Sequence, residues 1–502
     1  MSSLELLFNG LGLLVTDPVA LALFFGGLCA GSLFGAIPGI NMLTLGAVLL
    51  PFSAQMNPAH AIMLYSVIYC SGVFGGAITA ILFNIPGAPE NAATAIDGYP
   101  LTRAGKSRKA VGAAVLCSAL GGVISSLVMI FAAQATARWA VQAIQPADIF
   151  GIVALGIAIA ATVGAKTIWK GWLSVLFGML LACVGTDPID SAPRFTFGSY
   201  ALYAGIKTVP LILGVFAVVE IFSQLASRGT LPAVRSGGGS EHFSLSDLLQ
   251  SRWTVCRSTV IGFFAGLVPG VGASLAAFVS YGSEKALAGR SGRFGRGELR
   301  GVIAAETANN AATGAAMIPM LALGLPGGAL TAMMIGVYQL HGMEPGPLIF
   351  TTAPDIISLV FAAMLLANVG ILLLGWVEAR TVTHLVRLDT RYLMIFLLVI
   401  STIGAYAERN LMIDVWVMFG AGVMAWFLRE SGYSMAGLVL GLILGRVGEA
   451  SFMKAALLAD YDVLAFFERP VAAVCLGLAV AVTCAGVLVD MLKRAGPATA
   501  RA

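Results

Sequence analysis

Apolar residues follow one another along this chain in long blocks, without the alternation of a half-buried strand or the three-and-four spacing of a soluble amphipathic helix. Blocks able to cover a hydrocarbon core of about 30 Å lie near 18–37, 61–83, 110–133, 147–163, 171–184, 204–226, 257–281, 301–323, 326–340, 356–377, 392–405, 411–428, 432–448 and 470–491. They predict an all-α polytopic membrane protein with about 12 to 14 membrane elements, several of them short of a full span. Two shorter stretches of mixed polarity, 4–15 and 244–256, each precede a Pro-Gly hairpin. Both read as connecting arms lying in the interface plane.

Pro-Gly pairs interrupt the apolar pattern at depth. GAIPGIN (35–41) recurs 231 residues later as GLVPGVG (266–272), and NIPG (84–87) recurs 240 residues later as GLPG (324–327). The difference of nine residues, 240 minus 231, falls in SEKALAGRSGRFGRGELR (283–300), which has no counterpart in the first half. Two related halves are therefore expected, 1–227 and 247–502, around a polar linker at 228–246. NAAT at 91–94 and again at 310–313 is out of this register and reads as coincidence.

Loop charge gives the halves opposite senses. In the first half the loop between the two motifs, 53–60, is neutral, and the loop after them, TRAGKSRK (102–109), carries four positive residues. In the second half Lys285, Arg290, Arg293, Arg296 and Arg300 lie between the motifs, and HGMEPGP (341–347) after them has no Lys or Arg. Because Lys and Arg in short loops stay cytoplasmic, the halves are expected to be inverted-topology repeats with Pro-Gly-broken or re-entrant helices, the plan of secondary transporters. The linker is then cytoplasmic and GTDPIDSAP (185–193) external.

Composition agrees with the membrane reading: 58% of residues are hydrophobic, 11% charged, and the mean hydropathy is +0.91, far from the roughly one quarter charged residues of soluble domains. The net charge of +4 sits in short interhelical loops, so it is a topology signal and predicts no nucleic-acid partner. The seven cysteines are scattered without a CxxC pair and read as packing residues. MSSLELLFNG has no basic residue and no cleavage site after it, so no secretory signal is expected.

A proline removes an intrahelical hydrogen bond, and in hydrocarbon an unsatisfied backbone group costs several kcal/mol. A break at depth must therefore be buried in protein or open to water. What it creates is a helix N-terminus with free N–H groups and partial positive charge facing an anion. No Lys or Arg occurs between Met1 and Thr102 or between Gly301 and Ala379. The anion site is therefore expected to use backbone and small polar groups: Pro38, Gly39, Asn41 and Thr44 at the first break, Pro86, Gly87, Asn91 and Thr94 at the second, Pro269, Gly270, Gly272 and Ser274 at the third, Asn310, Thr313, Pro326 and Gly327 at the fourth. Helix termini alone are too weak to desolvate a multiply charged anion, and a co-bound cation is the natural supplement. Asn84, Asp97, Glu306 and Asn309 are the residues expected to couple it, since an acid at membrane depth is costly and marks function. Glu90 reads as a loop acid, and His60 and His341 have no second ligand at metal spacing. No metal and no other cofactor is expected. Sodium is favoured over the proton as the coupling ion because no cationic side chain clamps the site.

Enzyme readings lack their parts. HExxH, a GxSG serine and paired intramembrane aspartates are missing, RAGKS (103–107) has no upstream glycine at P-loop spacing, and GVGAS (270–274) lacks the third glycine of a dinucleotide loop. A passive anion channel or a carboxylate exporter remains as the alternative to an importer.

GAIPGIN, the stretch 75–106, GLVPGVGAS and ETANNAATGAAMIPMLALGLPGGALTAMMIGVYQLHGMEPGPLIF (306–350) resemble the large membrane subunit of tripartite tricarboxylate transporters over nearly the whole chain. The resemblance implies a multi-pass protein of the bacterial inner membrane that imports citrate-like and other organic carboxylates, driven by an ion gradient. It also implies two partners, a small membrane subunit and a periplasmic solute-binding protein, and a substrate path facing Pro38, Pro86, Pro269 and Pro326. An elevator-like motion follows by analogy with other inverted-repeat carriers. The chain from Glu378 onward reads as packing scaffold and subunit interface.

Overall fold

The computed structural model describes residues 2–37, 41–162, 165, 167–187, 190–226, 241–268, 272–289, 292–385, 390–462 and 464–495. Pro38, Gly39, Pro269, Gly270 and most of the linker lie outside the described residues. The helices are, in order, α1 (Ser3–Thr16), α2 (Pro18–Ala36), α3 (Met42–Ser53), α4 (Pro58–Phe83), α5 (Ala92–Arg103), α6 (Ser107–Ala143), α7 (Pro146–Thr162), α8 (Ile168–Ala182), α9 (Thr208–Ile212), α10 (Val219–Ala226), α11 (Leu245–Gln250), α12 (Arg252–Leu267), α13 (Gly272–Ala288), α14 (Leu299–Leu323), α15 (Ala329–Leu340), α16 (Ile349–Thr352), α17 (Pro354–Leu385), α18 (Thr390–Ala407), α19 (Met412–Glu430), α20 (Met435–Leu458), α21 (Ala465–Glu468) and α22 (Pro470–Ala495). The described strands are a two-residue antiparallel pair, β1 (Gly185–Thr186) and β2 (Pro193–Arg194). The protein is thus all-α, as expected. Among the described residues seven helices are long and apolar enough to cross a membrane, and seven shorter apolar helices have 10–17 residues.

The chain forms two compact units. One contains Met1–Arg138 with Glu220–Gly404, the other Trp139–Val219 with Ala405–Ala502. Each unit draws on both of the halves expected from the motifs, so the compact units divide the chain along different lines from that expectation.

In the first unit the central helices are α4, buried throughout 61–81, and α14, buried throughout 301–322. These spans are 240 residues apart, the offset of the second motif pair. Against α4 lies α2, whose Gly27, Gly31 and Gly35 recur every four residues and form the small-residue seam by which membrane helices approach closely. A Cβ on Gly35 would overlap Gly72 O and stand 3.2 Å from Gly75 Cα. On α12, a Cβ on Gly266 would lie 2.5 Å from Ala312 O and 2.9 Å from Ala315 Cβ. Gly35 and Gly266 are 231 apart, whereas their contacts Gly72/Ala312 and Gly75/Ala315 are each 240 apart, so the same packing recurs with both sequence offsets.

The arms also correspond. α1 lies on α17, where Asn9 Nδ2 donates to Asp355 Oδ1 (3.1 Å), and α11 lies on α6 through Asp247 and Lys109 (2.8 Å). Each half's arm therefore rests on the long helix of the other half. The second arm is shorter than 244–256 suggests: its helix stops at Gln250, Ser251 turns the chain, and α12 has begun by Arg252. Between α1 and α2, Asp17 caps α2 by accepting from Val19 N (2.8 Å) and Ala20 N (3.2 Å), with Pro18 in the first turn. The Ala20 and Val19 N–H groups, with His60 at 2.8 Å, hold the Asp17 carboxyl below its ordinary range despite an opposing effect of burial.

In the second unit α20 packs on α7 and α8, and α22 on α7. The run expected at 204–226 is helical without a gap from Thr208, with a π-helical turn at Leu213–Val218 between α9 and α10, and leaves this unit after Val219. Within that turn Gly214 packs so closely on α19 that a Cβ would overlap Met418 O.

Gly87, of the second Pro-Gly pair, has no room for a side chain, since a Cβ would overlap Gly35 O and lie 2.8 Å from Gly76 Cα, both backbone. Gly87→Ala is expected to cost about 1–3 kcal/mol or more by overpacking, seen as a lower melting temperature in detergent. Gly26→Ala, where nothing lies within 4 Å, should leave it unchanged.

Candidate functional site

The second and fourth breaks share one backbone design. Asn84 ends α4 in the left-handed region (φ 58°) and Gly324 ends α14 likewise (φ 70°). Ile85 N then reaches back to Thr79 O (3.4 Å) and Leu325 N to Pro319 O (3.1 Å), the wrap that satisfies terminal carbonyls when the cap residue is left-handed. Asn is among the few residues besides Gly that tolerate this region, which accounts for Asn84 by geometry. Its side chain is exposed and does not join the buried cluster described below. After the breaks, Pro89–Asn91 form a 3-10 turn leading into α5, and α15 starts after Gly328, whose N–H donates to Thr331 Oγ1 (2.8 Å).

At the first break Asn41 opens α3, its Oδ1 accepting from Leu43 N (3.0 Å), Thr44 N (3.1 Å) and Thr44 Oγ1 (3.4 Å). Two of the free N–H groups expected there are thus held by Asn41 itself. Ser274, in the first turn of α13 after the third break, donates to Glu90 Oε2 (3.3 Å), and Glu90 is buried. The second and third breaks therefore meet. A Cβ on Gly328 would lie 3.6 Å from Gly272 Cα, so the fourth break also adjoins the third.

Glu306 is the centre of a polar cluster. It is fully buried on α14, with Ser118 Oγ of α6 donating to Oε2 (2.9 Å) and Thr94 Oγ1 of α5 donating to Oε1. Asn310 Nδ2 donates to Glu306 O (3.1 Å), and Asn91 Nδ2 to Val73 O (2.9 Å). Asn91 Oδ1, Asn310 Oδ1 and both amide atoms of Asn309 are buried without a hydrogen-bond partner among the described residues. Each such atom costs about 1–3 kcal/mol, and several on neighbouring turns point to a polar ligand. Among the described residues no ion pair reaches Glu306. At the corresponding position, 240 residues earlier, stands Ser66, which bonds only its own helix at Ile62 O (2.9 Å). At this offset α4 therefore carries a serine and α14 an acid.

Thr313 is fully buried on the same helix and donates to Asn310 O (2.8 Å). Pro86 is half-buried and Pro326 and Gly327 are buried, Gly327 against Ala316. Asp97 has a different place from that expected of a coupling acid. Its Oδ1 accepts from Gly295 N (2.8 Å), Gly297 N (2.8 Å) and Glu298 N (2.9 Å), and its Oδ2 from Tyr281 OH (2.9 Å). Four donors fill the carboxylate, which pins the basic segment before α14 in the manner of an anion in a backbone nest. Asp97→Ala is expected to free that segment, with trypsin cleavage at Arg293 and Arg296 roughly tenfold faster because loss of charge-assisted bonds costs at least 1.4 kcal/mol of local stability.

Ser118 and Asn368 were not picked out by sequence reasoning, and Glu90, read there as a loop acid, is buried against α13. Asn368 of α17 donates to Ser126 Oγ (3.1 Å) and Met364 O (2.9 Å), and its Oδ1 is buried without a partner. Its signal was available: it is the single Asn in the apolar block 356–377. Ser118 gave none, since a serine in a membrane helix most often bonds its own backbone.

A family model described as "Tripartite tricarboxylate transporter TctA family" matches residues 21–440. An uncharacterized 52.8 kDa protein in the TAR-I ttuC' 3' region of Agrobacterium vitis is 32% identical over 470 residues, covering 92% of both chains. An uncharacterized protein in the TAR-II ttuC' 3' region of the same organism is 33% identical over 223 residues, covering 43% of this chain and 90% of its own length. No solved structure matches.

Proposed function

Since this chain belongs to the tripartite tricarboxylate transporter TctA family, a family of multi-pass membrane transporters and not of enzymes, we propose that it is a permease importing organic carboxylates by symport with a cation across the bacterial inner membrane. Its partners in this reading are a small membrane subunit and a periplasmic solute-binding protein. The observation that carries the reading is Glu306: a buried acid without a basic partner among the described residues, ringed by Thr94 and Ser118 hydroxyls and by amides with unfilled hydrogen bonds, at a position where the other half has a serine.

An isolated carboxylate in low dielectric must take up a proton or a metal cation. Hard oxygen donors from Glu, Thr, Ser and Asn suit sodium, and sodium is the cation proposed. The negative solute binds beside it at the termini of α3 and α13, where helix dipoles and the co-bound cation share the charge. The halves act as inverted repeats with elevator-like alternating access.

The test is uptake of labelled citrate and smaller carboxylates in cells carrying all three components. Accumulation above the external concentration under an inward sodium gradient, lost when that gradient is dissipated, is the expected result. Equilibration without accumulation would make the protein a channel, and accumulation driven by a proton gradient alone would move the coupling ion from sodium to the proton.

A further inference from the structure

The segment between α8 and α9, in the second unit, turns aromatic side chains outward: Phe195 is 54% exposed, Phe197 88%, Tyr200 86% and Tyr203 38%. Phe195 and Phe197 both have left-handed backbone, φ 52° and 49°, which bulky L residues adopt only when their surroundings impose it. Those surroundings are visible. β2 pairs with β1, and Arg194 forks onto Glu449 of α20 (2.5 and 3.1 Å) while reaching Asp187 (3.2 Å). Arg409 holds Ala201 O (3.1 Å), and Arg446 holds Ile206 O. Tyr200 and Tyr203 stack with centroids 5.6 Å apart. The loop is braced by three arginines, and its rings remain outside.

Two observations say what covers them. On α8, Trp169, Leu173, Leu176 and Leu180 are each 45–53% exposed and fall at i, i+4, i+7 and i+11, one apolar stripe along the helix. In a membrane protein such a stripe faces acyl chains, and it ends at Leu180, directly before the aromatic loop. At the opposite end of α8, Lys170 Nζ lies 5.5 Å from the ring centroids of both Trp169 and Tyr433, the amphipathic grouping of a headgroup level. Arg194 is matched by Glu449 and Asp187, and Arg409 by Asp414, while Arg446 is half-buried and turns its guanidinium onto Ile206 O. The rings therefore continue a lipid-facing surface, and the arginines beside them are spent on carboxylates and on the loop's own backbone.

We infer that Phe195, Phe197, Tyr200 and Tyr203 form an interfacial anchor seated among the phospholipid headgroups and upper acyl chains of the surrounding bilayer, on the external side by the loop-charge rule, and that this anchor sets the depth of its unit in the membrane. The inference is independent of which solute is carried. Its test uses Phe197→Trp in the full chain reconstituted into phosphatidylcholine vesicles, the seven natural tryptophans being subtracted with the parent protein. Lipids brominated near the headgroup should quench roughly half of the added emission, more than lipids brominated deep in the chain, as befits a ring at the interface. Acrylamide should quench little of it. Full quenching by acrylamide with none by either lipid overturns the inference. So does shielding from acrylamide that requires a soluble partner protein, since the loop would then be a docking site. Tyr200→Trp, on the adjacent turn, repeats the measurement if the first variant folds poorly.

Discussion

Glu306→Gln is expected to abolish sodium-driven uptake, by on the order of 100-fold or more, while leaving membrane levels and melting temperature near those of the parent. The magnitude follows from the charge: a cation in a buried site without its carboxylate loses several kcal/mol of compensation, and every 1.4 kcal/mol is tenfold in affinity. The preserved fold is expected because α4, buried like α14, carries Ser66 at the position 240 residues before Glu306. Thr94 and Ser118 now donate to the two oxygens of the acid, and Gln keeps one oxygen to accept from one hydroxyl and presents an amide N–H to the oxygen of the other. Glu306→Ala should lose uptake equally and also leave those hydroxyls unpaired, costing about 1–3 kcal/mol of stability. Undiminished, sodium-dependent uptake by Glu306→Gln would remove the acid from the mechanism. Loss of uptake together with collapse of the protein in both variants would make it structural.

What the sequence disclosed and what it withheld divide along physical lines. Local rules reach far in this protein. The two motif offsets, 231 and 240, reappear in the packing of Gly35 on Gly72 and Gly75 and of Gly266 on Ala312 and Ala315, because small residues are what let two membrane helices approach closely. Glu306 and Asn309 were legible because polar side chains in an apolar block are costly and so carry information. Asp97 was legible as an unusual residue but not in its role: its donors Gly295, Gly297 and Glu298 lie about 200 residues away, and no periodicity says which loop folds back onto a given helix. The same distance hides the pairing of Ser274 with Glu90. The composition of each compact unit from both halves is likewise a tertiary fact, decided by which faces pack and not by chain order.

Asn41 allows the anion-binding part of the proposal to be separated from the stability of the break. Its Oδ1 caps α3 by accepting from Leu43 N and Thr44 N, a role that Asp fills as well or better, since a negative charge at a helix N-terminus stabilises by about 0.3–1 kcal/mol. Asn41→Asp should therefore match or exceed the parent in melting temperature. Yet if the terminus of α3 receives the solute's carboxylate, the new charge stands against it. Two unit charges about 6 Å apart at an effective dielectric near 20 repel by about 3 kcal/mol, so uptake should fall by roughly 100-fold. Asn41→Ala reverses the order, losing about 1 kcal/mol of capping but adding no repulsion, so it should melt lower and yet transport better than Asn41→Asp. Stability and uptake measured on the same two variants thus run in opposite directions only if an anion binds there. Parent-level uptake by Asn41→Asp would take the solute away from this helix end, while leaving the cation site at Glu306 to stand or fall on its own measurement.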